Sequence, residues 1–200
     1  MPRPYSMARR ALLTAATRER VLRAALELIV ALGPDAMTLQ AVAERADVAP
    51  GTIYYHFSSR DQLLAAAYDM LRVEWEQREA WATNETAPAA QLRALIRSLC
   101  QDYEGQRALL SVILHIRGSE ELAEAIARVR HVRRTVLTSI LEHAQRLGLL
   151  RLPLPRAVAL AYTLTSFAAW QNLVEEMGLA PSEVPGELSE MLLAALFRPC

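Results

Sequence analysis

Lysine is absent from this chain: all 22 basic residues are Arg, and they are balanced by 22 acidic ones. With a formal net charge of zero, no overall field draws the protein to nucleic acid or to a membrane surface. Glycine (7) and proline (10) are sparse and β-branched clusters are few, which argues against a sheet protein. The two cysteines, Cys100 and Cys200, form no CxxC pair and no metal-ligand spacing, the usage of a reducing compartment. There is no HExxH, no paired-aspartate signature of helical synthases, no glycine-rich phosphate loop and no nucleophile elbow. His115, His131 and His143 do not fall on one helical face as a ligand pair. Neither an enzyme nor a resident cofactor or metal is expected.

Membrane classes fare no better. The N-terminal apolar stretch Ala11-Leu12-Leu13 is too short for a signal peptide. The uncharged stretch from Ala157 to Val174 carries Thr163, Thr165, Ser166, Gln171 and Asn172, which suits a helix buried against protein. A soluble, cytoplasmic protein is expected.

What the chain has in excess is helix former. Ala (34) and Leu (32) make 66 of 200 residues, and hydrophobic residues make 52%. Gly and Pro punctuate it into segments of helical length. Val21, Leu22, Ala25, Leu28, Ile29 and Leu32 form a first helical face that stops at Gly33-Pro34. Thr38 is a natural N-cap for a second helix with Leu39, Val42, Ala43 and Ala46. Pro50 opens a very short third, and Ser59 with Gln62 makes a capping box for a long fourth. Five more follow, the eighth apolar nearly all round from Leu160 to Val174, and the ninth carrying Leu188, Met191, Leu192 and Leu196. The expected fold is all-α, with about nine helices and no repeat.

Residues 38–57 hold two short helices with a tight connection through Ala46-Asp47-Val48-Ala49, the spacing of a helix-turn-helix. In the second, only Ile53 and Phe57 look committed to a core. Thr52, Tyr54, Tyr55 and His56 remain as a donor-rich aromatic face, and Gly51 removes a side chain where a backbone could come close.

Here the sequence resembles the N-terminal DNA-binding domain of TetR-family transcriptional regulators. The resemblance runs from about Thr17 to Leu64, a quarter of the chain. It includes Thr17-Arg18-Glu19-Arg20, Gly33, Thr38, Ala43-Glu44-Arg45-Ala46, Val48, the stretch from Pro50 to Phe57, Arg60 and Leu63-Leu64. It implies that Thr38, Tyr54, His56 and Arg60 touch the DNA backbone, and that Gln40, Gly51, Thr52 and Tyr55 reach or approach base edges. Chemistry agrees, since Gln can pair with adenine and Thr can offer its methyl to thymine. Asp47 stands where the family usually has Gly, and Ala49 where it usually has a capping side chain. The turn should therefore form at some strain, and the recognition helix should be slightly loose.

The resemblance further implies two domains: a helix-turn-helix domain over 1–64, and a ligand-binding and dimerisation domain over 65–200. The basic stretch 1–16, with Arg3, Arg9 and Arg10, reads as a flexible arm, a minor-groove contact being its alternative. Pocket candidates are Trp75, Trp81, Leu99, Tyr103, His115, Tyr162, Phe167, Trp170 and Met177. Arg128, Arg130, Arg133 and Arg134 around His131 are expected to face solvent or pair with acids, with an anionic ligand as the alternative. The eighth and ninth helices would pair with their copies in a four-helix bundle, the alternative being that the eighth is the central helix of a monomeric core. The expected function is that of a homodimeric repressor, released from a near-palindromic operator by a small apolar or amphipathic ligand. A helical protein-binding adaptor is the alternative.

Overall fold

The computed structural model describes residues 4–33, 36–79, 87–115 and 120–198. The chain is all-α. Its helices are α1 (Pro4–Leu32), α2 (Leu39–Arg45), α3 (Pro50–His56), α4 (Arg60–Glu79), α5 (Pro88–Gly105), α6 (Arg107–His115), α7 (Glu120–Arg146), α8 (Leu154–Leu164), α9 (Phe167–Gln171) and α10 (Val184–Leu196). A π-helical turn, Asn172–Glu176, continues α9. Among the described residues the only β pairing is an isolated bridge between Leu150 and Phe197. No described helix is long and apolar enough to cross a membrane.

Two expectations need correction. Of the stretch expected as an arm, residues 1–3 lie outside the described residues and 4–16 are helical: α1 begins at Pro4, because the Ala-, Leu- and Arg-rich run after it offers the helix no Gly or Pro before Gly33. The predicted eighth helix is two, α8 and α9, because Thr165 and Ser166 take over the backbone between them. The Thr165 hydroxyl donates to the Ala161 carbonyl at 2.7 Å, and the Ser166 hydroxyl donates to that of Thr163 at 2.7 Å. Ser166 Oγ then accepts the Ala169 amide at 3.2 Å as the N-cap of α9. Hydroxyls that bond locally in this way end one helix and start the next.

Packing divides the chain into two units that are not consecutive in sequence. One comprises Met1–Arg72 with Ser111–Arg128, the other Val73–Leu110 with Val129–Cys200. Residues 111–128 thus join the N-terminal unit that a linear reading closes at Leu64.

In the first unit, α1 buries Val21, Leu22, Ala25 and Ile29, while Leu32, at its last position, is 65% exposed. Gly33, at φ 85°, ends the helix with its amide on the Ile29 carbonyl. Val42, Ala43 and Ala46 of α2, Ile53 and Phe57, and Leu63, Leu64 and Ala67 of α4 complete this core, joined by Leu122 and Ala125 of α7. In the second unit a separate core unites Leu92, Leu95, Ile96 and Leu99 of α5 with Leu137 and Leu141 of α7. Ala157 and Ala161 of α8, Phe167 and Trp170 of α9, and Leu188, Leu192 and Leu196 of α10 close it.

Candidate functional site

The helix-turn-helix is built from local signals. Thr38 caps α2, its Oγ1 accepting the Ala41 amide at 3.1 Å. At the other end Asp47 adopts φ 50°, the left-handed region that favours Gly. The Val48 amide reaches the Ala43 carbonyl at 3.0 Å and the Asp47 amide reaches that of Glu44 at 3.3 Å, the two bonds of a Schellman motif. Asp therefore makes the turn the family gives to Gly. Ala49 precedes α3 with no side-chain cap, and Pro50 at the first helical position supplies the preorganised φ instead.

A seven-residue helix has too little internal bonding to stand alone in water. Ile53, fully buried, and Phe57, 2% exposed, hold α3 down, each worth about 1.5–3 kcal/mol of burial. Arg18 of α1 stacks its guanidinium 5.5 Å from the Phe57 ring centre. With one face pinned, the other is presented outward. Tyr54 is 62% and Tyr55 81% exposed, Gly51 is exposed, and Thr52 and His56 are half-buried. The Tyr55 and His56 rings meet edge to face at 5.0 Å. A Cβ built on Gly51 would meet nothing within 4 Å, so the fold itself does not require a glycine there. A bare position on the outward face instead leaves room for something outside the chain.

The remaining predicted contact residues flank this helix. Gln40 is exposed on α2, its amide nitrogen donating to Glu44 at 3.3 Å. Arg60, the first residue of α4, donates from Nε to the Met37 carbonyl at 3.0 Å, which ties α4 beside the Thr38 cap. That bond offsets the poor placing of a cation at a helix N-terminus. Ser59 caps α4 through the Gln62 amide at 3.0 Å, while the Gln62 side chain accepts the amide of Ser58 at 2.6 Å.

The second unit gathers part of the predicted pocket. Tyr103 of α5 meets Phe167 edge to face at 5.5 Å and Trp170 at 6.2 Å, and Phe167 and Trp170 stack at 5.7 Å. Leu99 is buried in the same core. Tyr162 joins the group through Arg133, whose guanidinium lies 4.3 Å from its ring centre. Met177, which ends the π-helical turn, is 65% exposed. The side chains of Trp75 and His115, and the whole of Trp81, lie outside the described residues.

Arg133 is the residue that sequence reading misplaced. Rather than facing solvent with its neighbours, it is half-buried, and Nη1 donates to the Tyr103 hydroxyl at 3.0 Å and the Thr165 carbonyl at 2.8 Å. Tyr103 Oη donates to the same carbonyl at 2.8 Å. Burial pulls the guanidinium pKa down, but Tyr103 and the hydroxyl of Tyr162 outweigh it and the net direction is upward. The sequence did hold a signal: Arg133 sits four residues after Val129 and three before Val136, on the apolar stripe of α7. Arg107 of α6 stacks 5.8 Å from Trp170 and pairs with Glu175 at 3.1 Å. Gln171 and Arg107, bonding its carboxylate, hold the Glu175 pKa below the usual range.

Three comparisons bear on these two sites. The sequence profile of bacterial regulatory proteins, tetR family, matches residues 21–67. The HTH-type transcriptional repressor KstR of Rhodococcus jostii (strain RHA1) is 50% identical over 50 residues, 25% of this chain and 24% of that protein. An uncharacterised HTH-type transcriptional regulator in the dhlA 5′ region of Xanthobacter autotrophicus is 37% identical over 91 residues, 42% of this chain and 43% of its own. The chain thus spans less than half the length of these curated relatives. Solved structures share the fold over far more of it. A TetR transcription regulator from Haloarcula marismortui superposes at a TM-score of 0.79 with 18% identity, covering 91% of this chain and 99% of that one. The regulator FadR of Bacillus subtilis, in complex with stearoyl-CoA, superposes at 0.75 with 19% identity, covering 88% and 97%.

Proposed function

We propose that the chain, whose residues 21–67 match the tetR family of bacterial regulatory proteins, is a cytoplasmic, sequence-specific transcriptional repressor of that family. It acts as a homodimer on a near-palindromic operator and is released by a small effector bound in its second unit. One observation carries this: α3 is fixed by Ile53 and Phe57 while Tyr54 and Tyr55 stand 62% and 81% exposed. Two large aromatic side chains this exposed on so short a helix fit a major groove. Thr38, Tyr54, His56 and Arg60 then serve the phosphates, and Gln40, Gly51, Thr52 and Tyr55 the base edges. With zero net charge, local donors supply the phosphate contacts, and affinity falls steeply with salt.

Dimerisation through α8 and α10 is supported by their outer faces. Val158, Leu160, Leu164 and Leu193 are only half-buried and Met191 is 50% exposed, as expected of helices that a second copy completes. The effector site is assigned to the aromatic group of Leu99, Tyr103, Tyr162, Phe167 and Trp170, with Trp75 and His115 as further candidates. The stearoyl-CoA complex of the Bacillus subtilis neighbour supports an amphipathic effector.

The test is a competition shift assay of wild type and Tyr55→Ala on the protein's own upstream DNA against random DNA. A dimer that binds specifically, with Tyr55→Ala losing the preference while keeping its melting temperature, supports the assignment. A wild type that never discriminates, even after selection from random sequences, overturns it.

A further inference from the structure

On the premise that the second unit receives an effector, we infer that Arg133 marks a subsite for the acidic head of that effector, a carboxylate carried on an apolar body. Arg23, Arg45, Arg107 and Arg128 each hold a carboxylate at 2.6 to 3.1 Å. Arg133, withdrawn among aromatic rings, holds none among the described residues. Its Nη1 is shared between two uncharged oxygens, and the Tyr162 hydroxyl is a third uncharged partner. A guanidinium cannot escape the cost of burial by losing its proton, and an unpaired charge withdrawn from water costs several kcal/mol. A planar guanidinium held only by uncharged oxygens is a fork that can grip a carboxylate brought to it through charge-assisted hydrogen bonds.

The surroundings suit the rest of such a molecule. Tyr103, Phe167 and Trp170 offer adjoining ring faces, continuous with the apolar core of Leu99 and Cys100. Trp170 is fully buried, yet its Nε1 has no acceptor among the described residues, a second donor waiting for an oxygen. The backbone is irregular on both sides. The break at Thr165 and Ser166 frees the carbonyl that orients Arg133, and the π-helical turn Asn172–Glu176 follows directly on α9, which carries Trp170. Interruptions of that kind concentrate at functional sites. A guanidinium without a carboxylate, an orphaned donor on Trp170 and a cluster of rings describe the site of an amphipathic organic acid.

The experiment compares decanoate with decanol, below their solubility limits, by calorimetry on the full-length protein. Wild type should bind decanoate at least ten times more tightly than decanol. Arg133→Gln should bring the two affinities within about twofold, and Arg133→Lys, which keeps the charge but not the fork, should lose most of the preference. Melting temperatures are taken on each variant; should Arg133→Gln not fold, the Lys variant and the wild-type comparison still decide. Equal binding of both probes by wild type, binding of neither, or an unchanged preference in a folded Arg133 variant overturns the subsite. Operator binding is measured on the same samples. Specific DNA binding with no decanoate preference removes the subsite alone, whereas loss of specific DNA binding in wild type removes the regulator assignment itself.

Discussion

Arg128 of α7 grips Asp69 of α4 at two points, Nη2 to Oδ2 at 2.6 Å and Nε to Oδ1 at 3.1 Å. Glu124, one turn earlier, adds a weaker contact at 3.8 Å. The pair fixes the start of α7 on α4 within the N-terminal unit, and α4 is the helix whose first residue, Arg60, is bonded beside the cap of α2. Arg133 follows five residues later on α7. Because both side chains of the Arg128–Asp69 pair are part-exposed, its worth is about 0.5–1 kcal/mol and it weakens in salt. A double-mutant cycle of Arg128→Ala and Asp69→Ala, read by thermal unfolding, should give a coupling of that size that shrinks in about 1 M salt. Additive single mutants would mean that the pair contributes nothing.

Gly51 separates a folding role from a binding role. No atom lies within 4 Å of a Cβ placed there, and Ala is the better helix former. Gly51→Ala should therefore raise stability by about 0.5–1 kcal/mol, read as a higher melting temperature. The same methyl should obstruct approach of the DNA, weakening operator affinity by about tenfold, or ~1.4 kcal/mol. A variant both more stable and equally tight on operator would show that the bare position serves nothing outside the chain.

The helix-turn-helix was legible because its signals are local. Thr38, Asp47, Pro50, Ser59 and Gln62 act on backbone groups within four residues of themselves, so their identity and spacing suffice. The start of α1 is hard to see in the sequence because its basic charge suggests an arm where propensity favours a helix. The break after α8 is hidden for a related reason: Thr165 and Ser166 look like polar residues of one helix, and their capacity to cap shows only in their bonds. Arg133 needed tertiary information. Its charge fits a solvated run of arginines, and only the packing of α5, α8 and α9 reveals the rings around it. The division into units was illegible for the same reason, since α7 contributes to both.

The turn and the missing cap carry separate penalties. Asp47 at φ 50° is strained where Gly would not be, so Asp47→Gly should leave stability unchanged or slightly raised. Asp47→Ala should lower it by about 1 kcal/mol, because Ala has no side chain to compensate the left-handed region. Ala49→Ser would place an acceptor at the N-cap of α3 and should add about 0.5–1 kcal/mol. Chemical denaturation of the three variants, compared at constant m-value, checks the ranking. An Ala variant as stable as wild type would mean that the turn relaxes out of the left-handed region.

Cys100 provides a test of the second unit's integrity that is independent of DNA. Burial pushes its thiol up to about 12, so at neutral pH the nucleophilic thiolate is essentially absent and the sulfur is shielded. In a Cys200→Ser background, a disulfide reagent at neutral pH should label Cys100 only as fast as the unit opens, and denaturant should make labelling immediate. The sign with pH follows from linkage. The folded thiol holds its proton above the value of 9.0 at which a solvated one would release it. Its contribution is therefore complete below about pH 9 and is lost as pH rises toward 12, at up to ~1.4 kcal/mol per pH unit. Stability should thus fall more steeply across that alkaline window in the Cys200→Ser protein than when Cys100→Ala is added. Equal slopes, or rapid labelling of the native protein at neutral pH, would place Cys100 at an exposed surface rather than in the core beside Leu99.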